Sequence, residues 1–130
     1  MFVQLYGPKL VNLKHLKWMR VDGHYKMGLT NSRIVIKTKD LNILEIQYTS
    51  PDVMQADVEK IRNAMVKLNK STMNMDNYLI CLDDVVSFNF RTMNDRTLTI
   101  VMTDGETQDI EFSDSKTLDQ NYVNMSKVLL

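Results

Sequence analysis

Cysteine is all but missing from this chain. Cys81 is the single one in 130 residues, so no disulfide can form within it. It sits in the apolar run 78–82, where a small buried hydrophobe is the expected role and a nucleophile is not. Glycine is scarce too, with four residues at 7, 23, 28 and 105. No G-x-G-x-x-G, phosphate-binding Walker loop or G-x-S-x-G elbow can be assembled from them. There are only two histidines, His15 and His24. His24 with nearby Asp22 falls short of the three or four ligands that a zinc site needs. No apolar run approaches the length of about 18 residues that a membrane-spanning helix requires. The start MFVQLYGPKL lacks the basic and apolar regions of a signal peptide, so a cytoplasmic protein is expected. Catalytic, cofactor and metal motifs are therefore all lacking, and a non-enzymatic protein is the expectation.

What is present is a pattern written twice. Hydrophobic residues make up 44% and charged residues 25%, enough to bury a core without staples. Short β-rich stretches at Phe2–Tyr6 and Leu10–Leu13 flank Gly7-Pro8 and read as a hairpin. The three-residue step from Leu16 to Met19 breaks the strand period, which predicts a short helical turn or a bulge there. Ile34, Ile36 and Thr38 alternate with Val35, Lys37 and Lys39 as a half-buried strand. Residues 43–48 return from a turn at Asp40-Leu41-Asn42. Ser50-Pro51-Asp52 then opens a helix, with a capping serine, proline at the first helical position and an acid at the positive end of the dipole. Met54, Val58, Ile61, Met65 and Leu68 form its apolar stripe.

The second half matches these positions. Leu13, Leu16, Met19 and Val21 correspond to Leu82, Val85, Phe88 and Phe90, 69 residues later. Ile34, Ile46 and Tyr48 correspond to Leu98, Ile110 and Phe112, 64 residues later. Asp104-Gly105 is a strong hairpin turn, and Leu118, Tyr122, Met125 and Leu129 repeat the helix stripe. The expected fold is α+β. Residues 1–70 form a first repeat of four strands and a helix, and 71–130 a second of three strands and a helix, in one compact body. Residues 69–77 read as a linker, which would expose Met73 and Met75. The first strand has no clear equal unless Met73–Met75 supplies one.

The pieces Val3-Gln4-Leu5, Gly7, Leu10–Leu13, Ile34–Lys37 and Val53–Val66 resemble, in their order, the small β-rich flagellar proteins of the FlbD (SwrD) type. Each half carries the pattern, so the resemblance implies a tandem copy. The Asn-Gly turn of that family is replaced by Asp40-Leu41 and approached by Asp104-Gly105, and no functional residue is carried over.

Charge separates the two halves. Residues 1–70 hold twelve Lys/Arg against six Asp/Glu, and residues 71–130 hold four against ten. Lys14-His15 stands where the second repeat has Asp83-Asp84, which makes these four residues a candidate interface between repeats or between copies. As paired carboxylates, adjacent Asp83 and Asp84 would point apart and suit a polar turn better than acid–base work. The basic stripe of the first repeat, Lys14, Lys17, Arg20, Arg33 and Lys39 among it, with Trp18 interleaved, suits phosphate contact and base stacking. Arg91 and Arg96 bracket a loop that could hold a phosphate or carboxylate in guanidinium forks. Two functions follow as expectations. The first is a protein-interaction module, such as a bacterial or phage regulator or inhibitor, able to form homo-oligomers. The alternative is a binder of nucleic acid or of a small anionic nucleotide. Neither requires a cofactor or a membrane.

Overall fold

The computed structural model describes residues 1–7, 9–22, 32–40, 42–75, 77–90, 96–112 and 115–130, without the side chains of 90, 115 and 128. Among the described residues, ten strands in three antiparallel sheets and two helices run in one order twice: hairpin, 3-10 turn, strand, hairpin, helix. Contacts divide the chain into two compact units, Met1–Leu82 and Asp83–Leu130.

In the first unit β1 (Phe2–Leu5) and β2 (Lys9–Asn12) form a two-stranded sheet. Gly7, at φ +77°, turns the chain between them. A 3-10 turn at Leu13–His15 leads into β3 (Leu16–Asp22). β4 (Ser32–Thr38), β5 (Ile43–Tyr48) and the helix α1 (Pro51–Lys67) follow. β6 (Thr72–Met75) and β7 (Tyr78–Cys81) then return to the same sheet, whose order is β5-β4-β3-β7-β6.

Residues 72–75 are therefore strand and not linker, and Met73 and Met75 are buried. The period-two burial of Thr72–Met75 was masked by the polar residues around it. The hairpin β6–β7 is the counterpart of β1–β2, so among the described residues each repeat contains five strands. Because β7 pairs with β3, this hairpin belongs to the first unit, and the units divide after Leu82.

α1 forms where its cap and stripe predict. The Ser50 hydroxyl accepts the Val53 amide at 3.4 Å, and Pro51 opens the helix. Met54, Val58, Ile61 and Met65 are buried against Leu13, Leu16, Met19, Ile34, Ile36 and Tyr48. Burying each such side chain contributes about 1.5–3 kcal/mol. The buried Asp57 carboxylate accepts the Tyr6 amide at 2.8 Å and the Tyr48 hydroxyl at 2.6 Å, tying hairpin, sheet and helix together.

The second unit holds a 3-10 turn at Leu82–Asp84 leading into β8 (Val85–Phe90), then β9 (Thr97–Met102), β10 (Thr107–Glu111) and α2 (Ser115–Leu129). The turn's first residue, Leu82, closes the first unit. The sheet order is β10-β9-β8. Leu98, Ile100, Met102, Ile110 and Phe112 are buried, as are Leu118 and Met125 of α2. The other two residues of the α2 stripe, Tyr122 and Leu129, are exposed.

The repeat extends to backbone detail. The register of β3 on β4 slips between Leu16 and Trp18, and that of β8 on β9 slips between Val85 and Ser87, the equivalent place. Thr38 donates to the Asn42 carbonyl at 3.1 Å, and Met102 to the Glu106 carbonyl at 2.8 Å. Asp40 and Asp104 each accept the amide two residues on, the Asx closure that lets aspartate start a turn. Leu13 donates to the Met1 carbonyl at 3.0 Å, and Leu82 to that of Ser71 at 2.9 Å. Among the described residues no helix is long and apolar enough to cross a membrane.

Candidate functional site

The basic residues named from the sequence fall into separate places. At one end of the first unit, the 3-10 turn presents Lys14 and His15, both exposed. The turn is fixed from within, since the Asn12 side-chain oxygen accepts the Lys14 amide at 3.1 Å. It is also fixed from outside. The Lys39 amide, just beyond β4, donates to the His15 carbonyl at 2.9 Å. A third chain segment arrives from the end of α1. Asn69 takes the left-handed conformation at φ 54°, donating to the Val66 carbonyl at 2.9 Å, while Lys70 donates to that of Met65 at 3.2 Å. This is a Schellman ending, which turns the chain sharply off the helix. It carries Lys70 to the turn, where its ammonium donates to the Lys14 carbonyl. Lys14, His15, Lys39 and Lys70 thus come from three segments to one end of the sheet.

Backbone geometry sets Lys39, already part of the basic stripe, beside the turn, and it adds Lys70, which the sequence alone gave no reason to group with Lys14. The signal that could have found Lys70 is the helix end itself, where Leu68-Asn69-Lys70 follows the last stripe residue and asparagine is a common left-handed cap.

The other named residues are engaged within the fold. Lys17 and Trp18 are 2% and 3% exposed, at the bulge in β3. Trp18 therefore has no open ring face for a base. It packs on Tyr78, ring centres 5.8 Å apart. The Arg20 guanidinium lies 5.7 Å from the Trp18 ring and 6.0 Å from the Tyr78 ring, and its Nε donates to Asp22 at 2.8 Å. Partial burial disfavours the charged form of Arg20, but hydrogen bonds to Asp22 and Tyr78 outweigh it and raise its pKa above the ordinary value. Arg33 donates to the second oxygen of Asp22 at 3.0 Å and to Glu45 at 3.4 Å. Arg20 and Arg33 thus share one carboxylate at the far end of β3 from Lys14.

Arg96 is exposed and lies 3.6 Å from Glu111, whereas Arg91 is outside the described residues, as is His24. In the second unit Asp83 is exposed and Asp84 is 9% exposed, with the Asp84 carbonyl accepting the Thr103 amide at 2.9 Å. Among the described residues no three His, Cys, Asp or Glu side chains meet as a metal-holding group.

No protein-family model matches the chain, and no curated protein matches it. Among solved structures it is similar to the LytTr DNA-binding domain of a protein described as a methyl-accepting/DNA response regulator from Bacillus cereus. The match covers 92% of this chain and 93% of that one, with a TM-score of 0.51. At 9% identity the likeness is one of fold, and it spans both repeats.

Proposed function

We propose that the chain binds nucleic acid, duplex DNA first, through the basic end of its first unit. The observation that carries this is the gathering of Lys14, His15, Lys39 and Lys70 by the hydrogen bonds of Lys39 to His15 and of Lys70 to Lys14. Four basic residues brought from separate segments to one end of the sheet make a surface on which phosphates can replace their counterions. The fold likeness supports the reading, because the similar structure is named as a DNA-binding domain. Binding of this kind needs no catalytic group. Stacking on Trp18 forms no part of it, since that ring is buried.

The test is fluorescence anisotropy of a labelled duplex of mixed sequence, titrated at several salt concentrations. Three lysine–phosphate contacts give a slope of log K against log salt of about −3. The Kd at physiological salt should fall at about 10⁻⁶–10⁻⁴ M for non-specific sequence. No binding at low salt removes the proposal.

A protein partner is the second reading. The observation that favours it is a set of large apolar side chains left open, among them Phe2 at 65%, Leu10 at 67% and Val86 at 64% exposure. Binding of a partner here would persist in high salt, whereas the nucleic-acid surface would not.

A further inference from the structure

The first acid in the chain is Asp22, so the residues before it carry no negative side chain. They build the hairpin β1–β2 and the turn that bears Lys14 and His15. The two faces of the hairpin differ. Leu5 and Val11 join the core beneath α1, and Val3 packs against it. By the two-residue period of a strand, Phe2, Gln4, Leu10 and Asn12 share the opposite face. Phe2, Gln4 and Leu10 are exposed there, and Asn12 is half-buried.

This outward face runs into the basic end. Phe2 pairs with Asn12, whose side-chain oxygen accepts the Lys14 amide at 3.1 Å. The Leu13 amide donates to the Met1 carbonyl at 3.0 Å, so the start of β1 lies against the start of the turn. Lys60 of α1, 3.7 Å from Asp57, donates to the Gln4 carbonyl at 3.4 Å and fixes β1 from the helix side.

Phe2 is the most exposed aromatic side chain among the described residues. The other described rings of the first unit are engaged. Trp18 and Tyr78 pack on each other, and Tyr6 leans on Tyr48 with ring centres 5.5 Å apart.

The make-up of the face argues for a base as its ligand. Phe2 supplies a flat apolar ring, and Leu10 lies diagonal to it across the hairpin. The amides of Gln4 and Asn12 carry both donors and acceptors. A base has a π-face for the ring and a polar edge for an amide, and its phosphate suits the lysine at the turn. Lipid binding scales instead with buried apolar area, which two side chains interleaved with amides supply poorly.

We propose that the nucleic-acid surface extends from Lys14 onto the outward face of β1–β2, where Phe2 stacks an unpaired base, so that single strands are held in preference to duplex. In a duplex the bases cover one another, and only the basic end is used. The inference rests on the nucleic-acid reading above and names the substrate class of that surface. It also takes Phe2 away from the protein-partner reading.

Fluorescence anisotropy with a labelled oligothymidine and a labelled duplex, at equal salt, tests the proposal. The wild-type chain should bind oligothymidine more tightly than duplex. Phe2→Ala should lower oligothymidine affinity by at least about fivefold and leave duplex affinity within about twofold, with unchanged circular dichroism. Phe2→Leu keeps apolar bulk without the ring and should lose as much, whereas Phe2→Trp should bind at least as well as wild type. Ultraviolet crosslinking of an iodouracil-substituted strand should map to Phe2. Duplex binding with no loss of oligothymidine affinity in Phe2→Ala overturns this proposal and leaves the basic end standing. Absence of binding to both ligands at low salt overturns the nucleic-acid reading itself. Full oligothymidine affinity in Phe2→Leu overturns stacking. Weakened binding of Phe2→Ala to vesicles of phosphatidylcholine and phosphatidylserine, with oligothymidine affinity unchanged, overturns it in favour of a membrane surface.

Discussion

The amide of Lys39 donates to the carbonyl of His15 at 2.9 Å, and 2.9 Å also separates the equivalent donor and acceptor of the second repeat, Thr103 and Asp84. Each bond joins the strand after the bulge to the 3-10 turn before it. Neither uses a side chain, so the frame is indifferent to what its residues carry. One repeat places Lys14, His15 and Lys39 on it, and the other places Asp83, Asp84 and Thr103. Duplication kept the backbone solution while the charge on it diverged.

That indifference predicts a clean separation of binding from folding. Lys14→Asp with His15→Asp writes the second repeat's residues onto the first repeat's turn. The double variant should keep its melting temperature to within about 2 °C, as exposed substitutions usually do. Its DNA affinity at low salt should fall at least about tenfold, with a shallower salt slope, because one phosphate contact becomes a repulsion. Equal affinity in the variant would show that DNA, if bound, is held elsewhere.

Much of the fold was legible because hydrophobic spacing survives where identity does not. Ile34 and Leu98, or Tyr48 and Phe112, differ in type yet share a face and are all buried. The irregular step at Leu16–Met19 announced the bulge in β3, while the 3-10 turn lies just before it, at Leu13–His15. Strand β6 was obscured because only Met73 and Met75 of its four residues are apolar, between polar neighbours. The candidate site was less legible. A run of lysine, arginine and tryptophan looks the same in sequence whether its side chains face solvent or each other. Only the register shows that Arg20 turns to Trp18, Tyr78 and Asp22 while Lys14 stays open.

Trp18, as the one tryptophan, reports this directly. Its emission should be blue-shifted, weakly quenched by acrylamide and unchanged when DNA binds, since a ring 3% exposed meets neither water nor bases. Arg20→Ala should lower stability by about 1–2 kcal/mol, through the lost cation–π contacts and the hydrogen bond to Asp22, as measured by urea denaturation. Quenching of Trp18 on DNA addition would restore the stacking role.

The end of α1 offers room for improvement. Asn69 holds φ 54°, a conformation that costs an ordinary side chain about 1–2 kcal/mol and costs asparagine less. Asn69→Gly should therefore stabilise the chain by about 0.5 kcal/mol and leave Lys70 in place. Asn69→Val should destabilise it by about 1–2 kcal/mol and, by disturbing Lys70, weaken DNA binding as well. Unfolding midpoints in urea measure the first effect and anisotropy the second.

The Tyr48 phenol gives the fold an alkaline limit. Removed from water and donating to the Asp57 carboxylate at 2.6 Å, it holds its proton far above the ordinary tyrosine range. Below pH about 10 it is protonated both folded and unfolded, and its full contribution is present. Above that pH the unfolded chain releases the proton while the folded chain keeps it, so stability falls by about 1.4 kcal/mol per pH unit from this group. Tyr48→Phe should cost about 1.5–3 kcal/mol at neutral pH, because buried Asp57 loses a donor to its charge. The variant lacks the alkaline loss, so the stability gap between it and wild type should narrow as pH rises through about 10 to 11. Denaturation curves at each pH measure that gap, and one that stays constant across the range would mean that Tyr48 ionises in the folded chain as readily as in the unfolded one.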